Sequence, residues 1–137
     1  MMLLKDVRDY VAGLGIAEDE HCYCGKMPDK KEKSIGTYPL KNRDQNRIPI
    51  GGIQNASYGT KGISFLVHWN RNQTDTERAS TALQEALISC KEQQINGHTI
   101  KFIDVAYSEP ISVDTDENGI YEYVIECLFY YEREDDE

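Results

Sequence analysis

The chain has 137 residues, 39% of them apolar, with 15 Lys+Arg against 24 Asp+Glu and a formal net charge of −9. This length fits a single domain, and an acidic balance without a basic block argues against general binding to nucleic acid or to anionic membrane. The charge is local: residues 1–113 hold 14 acids and 14 bases, whereas residues 114–137 hold ten acids and one base, Arg133.

Leu4, Val7, Val11 and Leu14 recur every three or four residues, with Lys5, Asp6, Arg8 and Asp9 between them. The spacing predicts a short amphipathic helix stopped by Gly13 or Gly15 and docked on a larger body. Residues 20–26 read as a first strand. After a charged turn over residues 28–33, residues 34–40 read as a second, with Pro39 at an edge or a strand end. Residues 41–60 are polar and rich in glycine and show no period, the mark of a long functional loop. In residues 62–69, Ile63, Phe65, Val67 and Trp69 alternate with Ser64, Leu66 and His68, a strong strand signal.

A helix follows. Thr74 and Glu77 have the spacing of a capping box, and Ala79, Ala82, Leu83, Ala86, Leu87 and Cys90 form one stripe. Asn96-Gly97 predicts a two-residue hairpin. Strand character runs on to about Tyr107, and Ile111 and Val113 lead into the acidic turn at residues 114–119. Residues 120–132 form a last strand, long against the usual five or six residues. Tyr121, Tyr123, Ile125, Cys127, Phe129 and Tyr131 share one of its faces. The helix between the strands at 62–69 and 98–107 has the length of a crossover joining parallel neighbours. These elements predict an α+β fold, a single domain over residues 1–132 with an acidic tail at 133–137. Its sheet is mostly antiparallel or mixed and curved, with two helices on one face.

The residues that could carry chemistry do not assemble into a site. Cys22 and Cys24 share a strand face, and zinc would call for a second ligand pair that is absent. The four cysteines read as small, reduced, apolar side chains. Asp114-Thr115-Asp116-Glu117-Asn118-Gly119 matches the first half of a calcium loop. Its twelfth position is Ile125 rather than Glu, and the residues that follow read as a strand. The turn therefore reads as a tight acidic turn with Asn118-Gly119 supplying positive φ. Ser64 and His68 lie on one strand face roughly 13 Å apart, too far for a nucleophile and its base. Gly51-Gly52 lacks the following helix of a phosphate loop. The expectation is no enzyme, no metal and no cofactor.

The aromatics point elsewhere. Nine tyrosines stand against three phenylalanines, and tyrosine, apolar in body and polar at its tip, is enriched at protein interfaces. Arg43 and Arg47 in the long loop, and Tyr121, Tyr123 and Tyr131 in the last strand, are the candidate interface residues.

Several stretches resemble a known family. They are Leu4-Lys5-Asp6-Val7-Arg8-Asp9-Tyr10-Val11; Ser34-Ile35-Gly36-Thr37-Tyr38; the segment from Ile50-Gly51-Gly52 to Trp69, with Lys61-Gly62-Ile63-Ser64 and Val67-His68-Trp69-Asn70; and Asp116-Glu117-Asn118-Gly119-Ile120-Tyr121-Glu122. In this order they resemble the small minor capsid proteins of long-tailed bacteriophages of Gram-positive hosts, a family similar to phage tail terminators. The resemblance implies a curved sheet with two helices and a homohexameric ring that caps the tail tube at the head–tail junction of the virion. Assembly would take place in the host cytoplasm. The implied partners are further copies of the chain, the tail tube protein and the head–tail connector or stopper. DNA would pass through unbound, and no membrane is involved. A ring closed by rotation needs two different patches per subunit, met here by the 43–59 loop and the 120–131 strand. Asp114, Asp116 and Glu117 are candidates to face the channel, where negative charge would repel passing phosphate. The alternatives are a neck stopper or adaptor, and a small metal- or ligand-binding module.

Overall fold

The structure, a computed structural model, describes residues 2–27, 31–40 and 58–132. Arg43, Arg47 and the 133–137 tail lie outside the described residues.

Helix α1 spans Leu4–Gly13 and buries Val7, Tyr10 and Val11. Its first turn is capped by Asp6, whose carboxylate accepts the Leu3 backbone N–H at 2.8 Å. The helix ends just before Gly15, which takes φ +77°. A single 3-10 turn, Asp19–His21, leads into β1, Cys22–Cys24. This strand is shorter than the alternation over 20–26 suggested. The 3-10 turn takes up its first residues, and Gly25, at φ +84°, follows its last. The Arg8 guanidinium donates to the carbonyls of Asp19 and Cys22, tying the turn and the start of β1 to α1.

Strand β2 is Ser34–Pro39 and β3 is Tyr58–His68. Helix α2 is Gln73–Ile88, followed by β4 (Lys91–Ile95), β5 (His98–Val105), β6 (Ile111–Thr115) and β7 (Tyr121–Glu132). The sheet order is β1-β2-β3-β7-β5-β4, with β6 also paired to β7. Among the described residues, only the β1–β2 pair is parallel. Strands β3 and β5 run the same way but lie on opposite sides of β7, so α2 does not join adjacent parallel strands. The length of β7 is matched by β3 along one edge and shared by β5 and β6 along the other.

Helix α2 departs from expectation at its start and on its buried face. Its cap is Asn72, whose side-chain oxygen accepts Asp75 N–H at 3.0 Å, rather than Thr74. Thr76, Ser80 and Gln84 are buried, while Ala82 is exposed. The polar groups have local partners, which makes this rotation tolerable: Thr76 Oγ1 donates to Asn72 O, Ser80 Oγ to Thr76 O, and Gln84 Nε2 to Ser108 O. The Asn96-Gly97 hairpin forms as predicted, with φ +50° and +82°.

Both helices lie on one face of the sheet and share one core with Ile35, Ile63, Phe65, Val67, Ile100, Ile125 and Phe129. Helix α1 touches β1 at one end of the sheet and β4 near the other, so the sheet curls around it as a half-barrel. Asn96 closes the seam by donating to Asp6 and Asp9 at 2.9 Å each. The resulting fold is the expected α+β domain.

Candidate assembly surface

Because side chains alternate along a strand, the core takes every second residue of β7: Tyr123, Ile125, Cys127, Phe129 and Tyr131. Tyr123 and Tyr131 are only 6% and 8% exposed. Most of their ring surface is spent inside the subunit, leaving little to meet a second molecule. Tyr131 lies against Gly59, where an added Cβ would come within 2.6 Å of the ring. Tyr121, at the start of β7, is half-buried.

The outward face carries a different aromatic group. Phe102 stacks on Tyr130 with centroids 4.4 Å apart and planes 14° apart, and Tyr58 lies 5.6 Å beyond Tyr130. The three rings form a row across β5, β7 and β3, and Phe102 is 47% exposed. Strict alternation from the buried Ile100 would turn Phe102 inward. A bulge between Ile100 and Phe102 inserts Lys101 against β7 and reverses the parity. Ile100 and Ile103 therefore both point to the core, and Phe102 points out. Bulges commonly re-aim a side chain in this way. The sequence signal was the three-residue spacing of the two isoleucines. Tyr58 belonged to the stretch read as loop, yet it opens β3.

The other end of the outward face is polar. His68 pairs in register with Glu122, and His68 Nδ1 lies 2.8 Å from Glu122 Oε2. Burial, followed by the charge of Glu122, pushes the Tyr38 hydroxyl above its ordinary pKa. The acidic turn closes beside this pair. Asp116 Oδ1 accepts the backbone N–H groups of Asn118 (2.8 Å) and Ile120 (3.0 Å). Positive φ falls on Gly119 (+79°) and on Asp114 (+73°), not on Asn118. Arg71 Nε donates to Asn118 O, tying the turn to the end of β3. Of the three acids read as channel-facing, Asp114 and Glu117 are exposed. The Asp116 side chain is 7% exposed and turned toward His68.

Burial pushes the Cys22 and Cys90 thiols up, away from the reactive thiolate. Cys127 is also buried, and Cys24 alone among the cysteines is exposed. What the outward face offers is a half-exposed ring row at one end of β7 and a clasped acidic turn at the other.

The family model described as bacteriophage tail terminator protein matches residues 10–133. Neither the curated proteins nor the solved structures contain a match to the chain.

Proposed function

The chain belongs to the bacteriophage tail terminator family, a structural component of the virion tail, and on that premise we propose that it closes the growing tail tube as a homohexameric ring and offers its other face to the head-side connector or stopper. The observation that carries this reading is the extent of the family match, which covers both helices' core positions from Tyr10 onward and all seven strands. The half-barrel supplies what a ring subunit needs, a rigid body with distinct surfaces at its two ends. The ring row of Phe102, Tyr130 and Tyr58 is one such surface; Tyr121, at the other end of β7, and the sequence candidates Arg43 and Arg47, outside the described residues, are further interface candidates. The likeness to minor capsid proteins of long-tailed phages of Gram-positive hosts belongs to the same reading, as do the head–tail junction as its position and the host cytoplasm as its place of assembly.

Deletion of the gene from its phage is the direct test. A terminator predicts overlong tails. Tails of normal length that fail to join heads overturn it in favour of a neck stopper or adaptor. Electron microscopy of the purified protein, alone and mixed with tail tubes, reads the ring and its position.

The acidic turn refines one part of this. Asp114 and Glu117 are the exposed acids that a ring would multiply, and in the channel they would repel DNA phosphate without binding it. Asp116 has a structural role and is a poor choice for that test. Virions assembled with Asp114→Asn and Glu117→Gln should eject DNA more slowly; unchanged ejection places these acids in solvent.

A further inference from the structure

Resting on the ring reading above, we propose that the Phe102, Tyr130 and Tyr58 row of one copy packs into a groove beside Trp69 on the next copy. The groove has a volume of about 400 Å³, and its apolar lining is Ile16, Trp69, Ala79 and Ala82. Lys33 and Arg78 bring two positive charges to its wall, and Asp75 brings one negative charge. An enclosed cavity of about 150 Å³ holds a benzene molecule, so the groove has room for an aromatic side chain.

The groove is built by the fold rather than left by loose packing. Lys33, at φ +58°, donates its backbone N–H to Trp69 O at 2.7 Å, and Trp69 N–H donates to Tyr121 O at 3.2 Å. Asn70 Nδ2 donates to Asp75 Oδ2 at 3.3 Å, which ties the first turn of α2 to the end of β3. Ala82 is exposed and leaves the space over Trp69 open.

One copy cannot fill its own groove. Tyr58 opens β3, and Trp69 follows its last residue, eleven positions further on. At about 3.3 Å per residue the two lie roughly 36 Å apart. They also face opposite ways. Trp69 continues the inward parity of Ile63, Phe65 and Val67 and packs against the core, whereas the row points outward. A second copy displaced head to tail meets both conditions. Two different patches, at opposite ends and on opposite faces, make the heterologous contact that closes into a ring by rotation.

The charges favour the same occupant. Glu132 lies opposite Tyr58 in register and is exposed, and the sequence after it runs Arg133-Glu134-Asp135-Asp136-Glu137. The Tyr58 end of the row thus offers acid to Lys33 and Arg78. Lys91, opposite Phe102 at the other end, offers the positive charge for Asp75. An arginine beside aromatic rings adds a cation–π attraction.

Two variants of the full chain test the contact, with thermal melting as the control for folding. Phe102→Ser shortens the row. Ala82→Glu puts a carboxylate into the groove at an exposed helical position that suits glutamate; if it fails to fold, Arg78→Glu repeats the test at the wall. Each variant alone should form rings about tenfold less well or worse, read by light scattering and by electron microscopy with tail tubes. An equimolar mixture should give pairs and no rings at the concentration where the parent assembles. The Phe102→Ser copy keeps its groove and the Ala82→Glu copy keeps its row, so one junction forms and cannot be continued. A folded groove variant that assembles like the parent overturns the proposal and leaves the ring reading standing. A mixture without pairs also overturns it, because the two patches then do not meet across one junction. A parent chain that forms no ring, alone or on tubes, overturns the ring reading and the proposal with it.

Discussion

At its C-terminal end β7 presents rings on both faces of the sheet, whereas at its N-terminal end one face is apolar and the other charged. Phe129 meets Tyr10 edge to face and Phe65 at a tilt, each with centroids 6.2 Å apart, while Tyr130 on the opposite face stacks on Phe102. At the other end Tyr123 goes inward and Glu122 goes outward to His68. Apolar packing is proportional to area and indifferent to pH. The charged end depends on direction and protonation, since each of its groups needs a placed partner. One strand thus combines an end specified by shape with an end specified by hydrogen bonds, and substitutions can tell them apart.

The largest loss is expected at Phe129. It is fully buried between Tyr10 and Phe65, and Phe129→Ala should cost roughly 3–5 kcal/mol in urea unfolding. A cost below that of the polar substitutions would mean that the ring end is loosely packed. Gly59→Ala probes the same end from the neighbouring strand. Its new Cβ would lie 2.6 Å from Tyr131, so the ring must shift, at a cost of roughly 1–3 kcal/mol. Adding Tyr131→Leu should recover part of that loss, and a double-mutant cycle with zero coupling would remove the contact as its cause.

Asp116→Ala measures the charged end. Two backbone N–H groups lose their acceptor, and about 1–2 kcal/mol should be lost. The seam at α1 gives a pH-dependent counterpart of roughly 1 kcal/mol. Hydrogen bonds from Asn96, then Arg8 and Lys5, hold the Asp9 carboxyl at about 2 against its ordinary 3.8. A depressed acid stabilises the fold above its unfolded pKa and loses that contribution as pH falls through its folded one. Stability should therefore decline between about pH 4 and pH 2 in part through Asp9. Asp9→Asn should flatten that limb, and an unchanged limb would assign it to other carboxylates.

These contrasts also mark where the sequence was legible. Local signals sufficed for the presence of α2, though not for its cap or its buried face, and for the Asn96-Gly97 turn and the strand parity of β7. Parity identifies which residues share a face, but not which face is the core. Both faces of β7 carry large apolar groups, so Tyr123 and Tyr131 could pass for surface tyrosines while they fill the interior. The extension of β3 back to Tyr58 was hidden because Tyr58, Gly59 and Thr60 read as loop. Their strand conformation comes from pairing with Tyr130 to Glu132, a partner about seventy residues away in sequence. The approach of Asp116 to His68 is equally non-local. Among the described residues, Tyr121, Asp114 and Glu117 were named from the sequence and are half-buried or exposed, whereas the ring row of Phe102, Tyr130 and Tyr58 was not named.

Phe102→Ser gives the smallest stability change and the sharpest reading of the aromatic end. The ring is 47% exposed and stacked on one neighbour, so its removal should alter unfolding free energy by no more than about 0.5–1 kcal/mol. On the proposed ring reading, an aromatic ring kept outward by a bulge would serve a contact in the assembly rather than the stability of its own subunit. The substituted protein should melt like the parent and yet form rings poorly, whether alone or on tube ends. If assembly is unaffected, the bulge at Lys101 serves the strand's curvature alone, and the contact must move to the half-buried Tyr121 or to the 41–57 segment. Charge substitutions at Asp114 and Glu117 then provide the matching control, because they alter the other end of β7 and should leave ring formation unchanged if the aromatic end carries the contact.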